Sequence, residues 1–106
     1  MSDIRVVPCR AQNSAMLVSG VVSHLCPFRD ERDDGRISIR WVVQTHTIEL
    51  HSLRVWLDSL AEKKTSHEQF TAAVRAAVSG LEGIAEVQVV SYWETAGFKV
   101  TAEALR

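Results

Sequence analysis

Apolar and polar residues alternate cleanly through RISIRWVVQ, residues 36 to 44: Ile37, Ile39, Trp41 and Val43 share one face, with Ser38, Arg40 and Gln44 on the other. That is the period of a half-buried antiparallel strand. The stretch before it, SAMLVSGVVSHL at 14 to 25, is β-branched and apolar, and its mid-strand Gly20 predicts a bulge or bend. Between the two lies PFRDERDDG, in which Asp34-Gly35 reads as a hairpin turn. From Glu49 the period changes, because Leu50, Leu53, Leu57 and Leu60 fall at helical spacing in ELHSLRVWLDSLAEK. A second helix is predicted over TSHEQFTAAVRAAVSGLEG, with Phe70, Ala73, Val74, Ala77, Val78 and Leu81 on one stripe and Gly80 or Gly83 near its end. EVQVVSYW and GFKVTAEAL then read as alternating strands joined through ETAG. The order β-β-α-α-β-β argues for an α+β fold, an antiparallel sheet with two helices on one face. Such a sheet leaves open edges, so a homo-oligomer is expected.

At 106 residues the chain is expected to be a single domain over 1–106. A chain of that length buries about two thirds of its unfolded surface. A net charge of −1 supplies no overall basic footprint, so any role on nucleic acid must be argued from a site. Nothing along the chain approaches the apolar length of a membrane span, and the expectation is a soluble, unprocessed, cytoplasmic protein with no membrane partner. In that compartment Cys9 and Cys26 are expected as free thiols. The histidines are scattered and no C-x-x-C or H-x-x-x-H spacing occurs, so no metal is expected.

Composition leaves one local anomaly, Cys26-Pro27 at the mouth of a loop that is mostly charge. A lone thiol at a strand end is usually structural, but Arg29 and Arg32 are cations of the kind that favour a thiolate. Other polar residues have plain readings too. Asp33 fits the turn before Gly35, Ser52 and Arg54 fit a helix's polar face, and His67 fits a solvated first turn. Thr65-x-x-Glu68 fits a capping box, a role that would compete with any other use of the Glu68 carboxylate. Trp41, Trp56 and Trp93 read as core or interface aromatics, and Cys9, His24 and His46 join no grouping.

Taken together, Cys26-Pro27, Asp33 seven residues after the cysteine, ELHSLR from Glu49, and His67-Glu68 resemble the tunnelling-fold family of QueF and QueF-like proteins. That family reads C-P-x5-D, then E-(S)-K-S-L-K, then F-H-E, and the resemblance covers about residues 20 to 92. It implies a tunnelling fold assembled into an oligomeric barrel, with sites between subunits and an inactive monomer. It also implies chemistry at the nitrile of 7-cyano-7-deazaguanine. Cys26 would attack the nitrile carbon to form a thioimide, Asp33 would donate a proton to the nitrogen, and His67 would relay one. Glu68 would accept from the guanine-like edge, N1–H and the exocyclic amine, while Glu49 and Ser52 complete the base pocket.

Two branches of the family differ in what attacks the thioimide. The reductases use NADPH and carry lysine at both basic positions of E-S-K-S-L-K, with a later P-R-G-G segment. Here those positions are His51 and Arg54, and ETAGFKVTAEALR follows SYW, so only Arg54 remains to grip a cofactor phosphate. The QueF-like amidinotransferases lack the cofactor and add ammonia, giving a formamidine. The expectation is therefore an amidinotransferase without cofactor, acting on the base either free or carried in tRNA or DNA. The alternatives are NADPH-dependent nitrile reduction and a non-catalytic purine- or pterin-binding protein of the same fold.

Overall fold

The structure, a computed structural model, describes residues 3–105. Its strands are β1 (Val6–Pro8), β2 (Ala15–Leu25), β3 (Arg32–Val43), β4 (His46–Ile48), β5 (Ile84–Thr95) and β6 (Phe98–Glu103), and its helices are α1 (Leu50–Ser59) and α2 (His67–Ser79). Alternation builds the main sheet, antiparallel throughout, in the order β2-β3-β5-β6. The inward residues of β3, Ile37, Ile39, Trp41 and Val43, are buried with Val89 and Trp93 of β5, Leu53 and Leu57 of α1, and Phe70, Val74 and Val78 of α2. Both helices thus cover one face of the sheet. On the other face Leu17, Val21 and Tyr92 stay exposed beside Arg36, and β2 and β6 form the edges. No described helix is long and apolar enough to cross a membrane.

The main elements follow the expected order, with four local differences. β1 and β4 pair as a small separate antiparallel sheet. Three residues are too few for alternation to announce a strand. Gly20 produces no bulge, since β2 runs in unbroken register with β3 from Ala15↔Val42 to Leu25↔Arg32. The irregularity lies instead between β3 and β5, where the register shifts between Arg40 and Val42 and Glu86 takes a positive φ of 51°. Asp34-Gly35 is not a turn, because β3 already begins at Arg32. Gly35 is demanded by packing: a Cβ there would run into the Tyr92 carbonyl oxygen and the Trp93 ring on the neighbouring strand. The hairpin turn proper is Ala96-Gly97, both with positive φ (55° and 80°), the conformation that matches strand twist in two-residue loops.

The fourth difference is the cap of α2. Its N-cap is Ser66, whose Oγ accepts from the Gln69 N–H at 3.1 Å, and the Gln69 side chain reaches back to the Ser66 N–H. The box is therefore Ser66–Gln69 rather than Thr65–Glu68. Thr65 is excluded because its own N–H donates to the Leu25 carbonyl at 3.1 Å, holding it in an extended link. Ser66→Ala is expected to cost about 1 kcal/mol in urea-unfolding stability. Glu68→Gln is expected to change it by less than about 0.5 kcal/mol, and a larger loss at Glu68 than at Ser66 would reverse the assignment.

Candidate active site

The parity that sends Val22 into the core sends His24 there too, and His24 is fully buried, with 0% exposure. On β3 the same parity carries Asp33 to the helix side, and the register sets Asp33 directly across from His24. β5 contributes Ser91, Trp93 and Thr95 from that face. The fourth wall is the start of α2. The linker from α1 is sewn onto the end of β2 by Leu25 N–H to the Lys63 carbonyl (2.9 Å) and Thr65 N–H to the Leu25 carbonyl (3.1 Å). Ser66 then starts the helix, and His67, its first residue, is laid over the sheet end.

His67 Nδ1 lies 2.9 Å from His24 Nε2, and His67 Nε2 lies 2.8 Å from Thr95 Oγ1. The His67 ring stacks on Trp93, with centroids 4.5 Å apart and planes 15° apart, while His24 meets Trp93 edge-on. Behind the rings every hydroxyl is used. Trp93 Nε1–H donates to Ser91 Oγ (2.8 Å), Ser91 shares a 2.7 Å bond with Thr71 Oγ1, and Thr71 donates to the His67 carbonyl (2.7 Å). Removal from water and the neighbouring His24 push the His67 pKa below the ordinary histidine range, with Asp33 and Glu68 pulling weakly the other way. The ligand-capable atoms of His24, Asp33 and His67 all lie within 4.8 Å of one another, a convergence that sequence spacing did not reveal.

Cys26 is half-buried, one residue past the end of β2, and its N–H donates to the Glu31 carbonyl at 2.9 Å, closing the loop over 26–31. The loop's arginines are engaged elsewhere. Arg29 pairs with Glu31 at 3.7 Å, and Arg32 holds the end of α1 through the Ala61 carbonyl (2.7 Å) and Glu62. Glu68, free of capping duty, is exposed in the first turn of α2. Open clefts of about 510 and 430 Å³ flank Asp34-Gly35, one toward α1 and one toward β6. Neither is lined by Cys26, Asp33, His67 or Glu68.

Glu49 and Ser52 are not brought to this cluster. They sit at the start of α1, whereas Arg32 holds its end, roughly 15 Å away along ten residues of helix. Glu49 is the N-cap, accepting from the Ser52 and His51 N–H groups at 2.8 and 2.9 Å and from His51 Nδ1. Ser52 is buried, its Oγ accepting from the Arg5 N–H and donating to the Glu49 carbonyl. The His51 and Ser52 N–H bonds to its carboxylate, aided by the His51 side chain, lower the Glu49 pKa from 4.5 to about 2. A depressed folded pKa stabilises the fold above the unfolded value and is lost as pH falls from about 4.5 toward 2. Glu49→Gln is therefore expected to be less stable than the parent near neutrality and to converge with it in that acid window, as read by urea midpoints. A gap independent of pH would remove the carboxylate from the cap.

Arg54 Nε and Nη2 both donate to Asp58 Oδ1, at 3.0 and 2.7 Å, at the edge of the cleft between α1 and β2. His51, at the other basic position of the motif, is tied to Glu49 at 3.0 Å. Both basic groups are thus paired with carboxylates at the start and along the length of α1.

The chain matches no family model. Over 46 residues it is 39% identical to the NADPH-dependent 7-cyano-7-deazaguanine reductase of Prochlorococcus marinus strain NATL2A, a stretch that is 43% of this chain and 33% of that protein. The chain spans about a third of the length of this curated relative. In structure it is similar to the archaeosine synthase QueF-Like in its apo form, with a TM-score of 0.82 at 16% identity over 86% of this chain and 91% of that one. The α+β architecture is that of the tunnelling fold, and both likenesses fall among the QueF and QueF-like proteins that the chain's motifs resemble.

Proposed function

We propose that the chain is an enzyme acting on the nitrile of 7-cyano-7-deazaguanine through Cys26, and that ammonia is the second nucleophile. The observation that carries this reading is the convergence of Asp33 and His67 at the sheet end where β2 runs into Cys26. A nitrile carbon is a weak electrophile and needs a thiolate together with an acid for its nitrogen. The Cys26 thiol gives its proton to Asp33 as the sulfur adds to the carbon, and Asp33 passes that proton to the nitrogen. The product is a thioimide. Ammonia then adds to the same carbon, one of its protons passes by way of Asp33 to the departing sulfur, and the nitrile ends as a formamidine with the Cys26 thiol regenerated. Glu68, exposed beside His67 and clear of the cap, is available to accept from the guanine-like edge. Glu49 and Ser52 would reach a base only from another subunit, which makes a homo-oligomer part of this reading.

Nicotinamide chemistry is the second reading, favoured by the 39% identity to a reductase. The engagement of Arg54 and His51 weighs against it. Intact-mass spectrometry of the wild type with the free base, then with base-carrying tRNA or DNA, tests both readings. The expected result is an adduct of the nitrile's full mass, released as the formamidine by ammonium and untouched by NADPH. Release of an aminomethyl product by NADPH would choose the reductase. No adduct with any carrier would sink the enzyme reading and leave a purine- or pterin-binding protein.

A further inference from the structure

His24 is a titratable group that the nitrile chemistry does not use. It stands outside the motif blocks, and yet it is wholly buried against His67, Phe70 and Trp93. Its hydrogen bonds fix more than its own position. His24 Nδ1 lies 3.0 Å from the Leu25 carbonyl, and a carbonyl oxygen can only accept, so Nδ1 carries the proton. In the neutral ring Nε2 is then bare. The hydrogen in the 2.9 Å bond between the rings must therefore sit on His67 Nδ1, which leaves His67 Nε2 bare in its turn, accepting from the Thr95 hydroxyl at 2.8 Å. One main-chain carbonyl thus dictates the tautomer of two imidazoles.

We propose that His24 is a positioning residue: it holds His67 as the Nδ1–H tautomer, so that Nε2, on the Thr95 hydroxyl, is the nitrogen that takes up protons at the site. When His67 is protonated at Nε2, Nδ1–H becomes a charge-assisted donor to His24, and the ring is braced by a neutral acceptor rather than by a buried carboxylate. Asp33 and Glu68 favour that imidazolium electrostatically, and burial opposes it. The part of the proposal that concerns proton uptake during catalysis rests on the nitrile reading; the tautomer assignment does not.

The test is ¹H–¹⁵N spectroscopy of the imidazoles at neutral pH, with no substrate present, on the wild type, His24→Phe and His24→Gln. The wild type is expected to show both rings protonated on Nδ1. In His24→Phe, His67 is expected to revert to the Nε2–H tautomer that free histidine prefers, and the amide oxygen of His24→Gln is expected to restore Nδ1–H. The wild-type spectrum decides even if His24→Phe fails to fold. Nε2–H on His67 in the wild type, or an unchanged tautomer in a folded His24→Phe, would overturn the proposal. So would stoichiometric zinc in the purified wild type with both inner nitrogens bare, which would make His24, Asp33 and His67 a metal site instead. Where adduct turnover is observed, kcat of His24→Phe should fall by about 10²- to 10⁴-fold with KM unchanged. A spectrum as expected without any turnover would fault the nitrile reading and leave the positioning intact.

Discussion

Cys26→Ala is expected to form no nitrile adduct at all, and Asp33→Asn to form it about 10²- to 10⁴-fold more slowly than the wild type. The two effects differ in kind. The thioimide is a bond to sulfur, and alanine offers none, whereas asparagine keeps the size and the acceptor oxygen of Asp33 but cannot give up a proton at comparable cost. Asp33 is half-buried opposite His24, inside an intact strand register, so an isosteric change there leaves the backbone pairing in place. Cys9 serves as an internal control. Its N–H is bonded to the Thr45 carbonyl, in the segment between β3 and β4, well away from the cluster around His67. Time-resolved intact mass on the three proteins gives the rates, with unfolding midpoints to show that each is folded. An adduct persisting in Cys26→Ala would move the chemistry to Cys9, and a wild-type rate in Asp33→Asn would remove Asp33 as the acid.

Sequence alone exposes those parts of the fold whose logic is periodic. The alternation of β3 and the leucine spacing of α1 each report a face, and Ile37, Ile39, Trp41, Leu53 and Leu57 are all buried. Where local chemistry and tertiary demand point different ways, the sequence misleads. Asp34-Gly35 has turn chemistry, but the glycine is there because the neighbouring strand's Trp93 and Tyr92 carbonyl leave no room for a Cβ. In TSHEQ two capping frames overlap by one residue, and no local rule ranks them. The choice falls to Ser66 because the Thr65 N–H is already bonded to Leu25, a contact forty residues away in sequence.

The site divides in the same way. Cys26, Asp33, His67 and Glu68 stand out by their spacing, which a resemblance to QueF-like proteins interprets. His24 escapes that reading because no motif contains it, although the signal is present: it stands on the parity of Val22, two residues before the cysteine, where an apolar side chain is the ordinary choice. Thr95 is hidden in ETAG, which has the look of a turn, because the extent of β5 is set by pairing with β6 rather than by its own residues. Glu49 and Ser52, singled out by the same resemblance, lie at the start of α1, apart from this cluster. Within one chain their polar atoms are consumed by the cap of α1, and only a neighbouring subunit would bring them to a base.

Trp93→Ala is expected to be among the costliest single truncations for stability, removing about 3–5 kcal/mol. A small domain holds only about 5–15 kcal/mol in total, so the variant should be marginal at 25 °C and unfold at a much lower urea midpoint. The ring is 3% exposed and joins the two halves of the structure: it stacks on His67, meets Phe70 and His24 edge-on, and fills the space that Gly35 vacates. Truncation also leaves Ser91 Oγ without the indole N–H that it accepts. Trp93→Phe separates these terms, since it keeps much of the packing and loses the hydrogen bond, and it should cost clearly less. Trp56→Ala, on half-buried α1, is the comparison for a large aromatic outside the site and should cost less as well. If Trp93→Ala lost under about 1 kcal/mol, the stack would be decoration on an already rigid end. A loss of the expected size instead means that the platform beneath His67 is also a principal clamp of α2 to the sheet, so the geometry of the site is held by the same contacts that hold the fold.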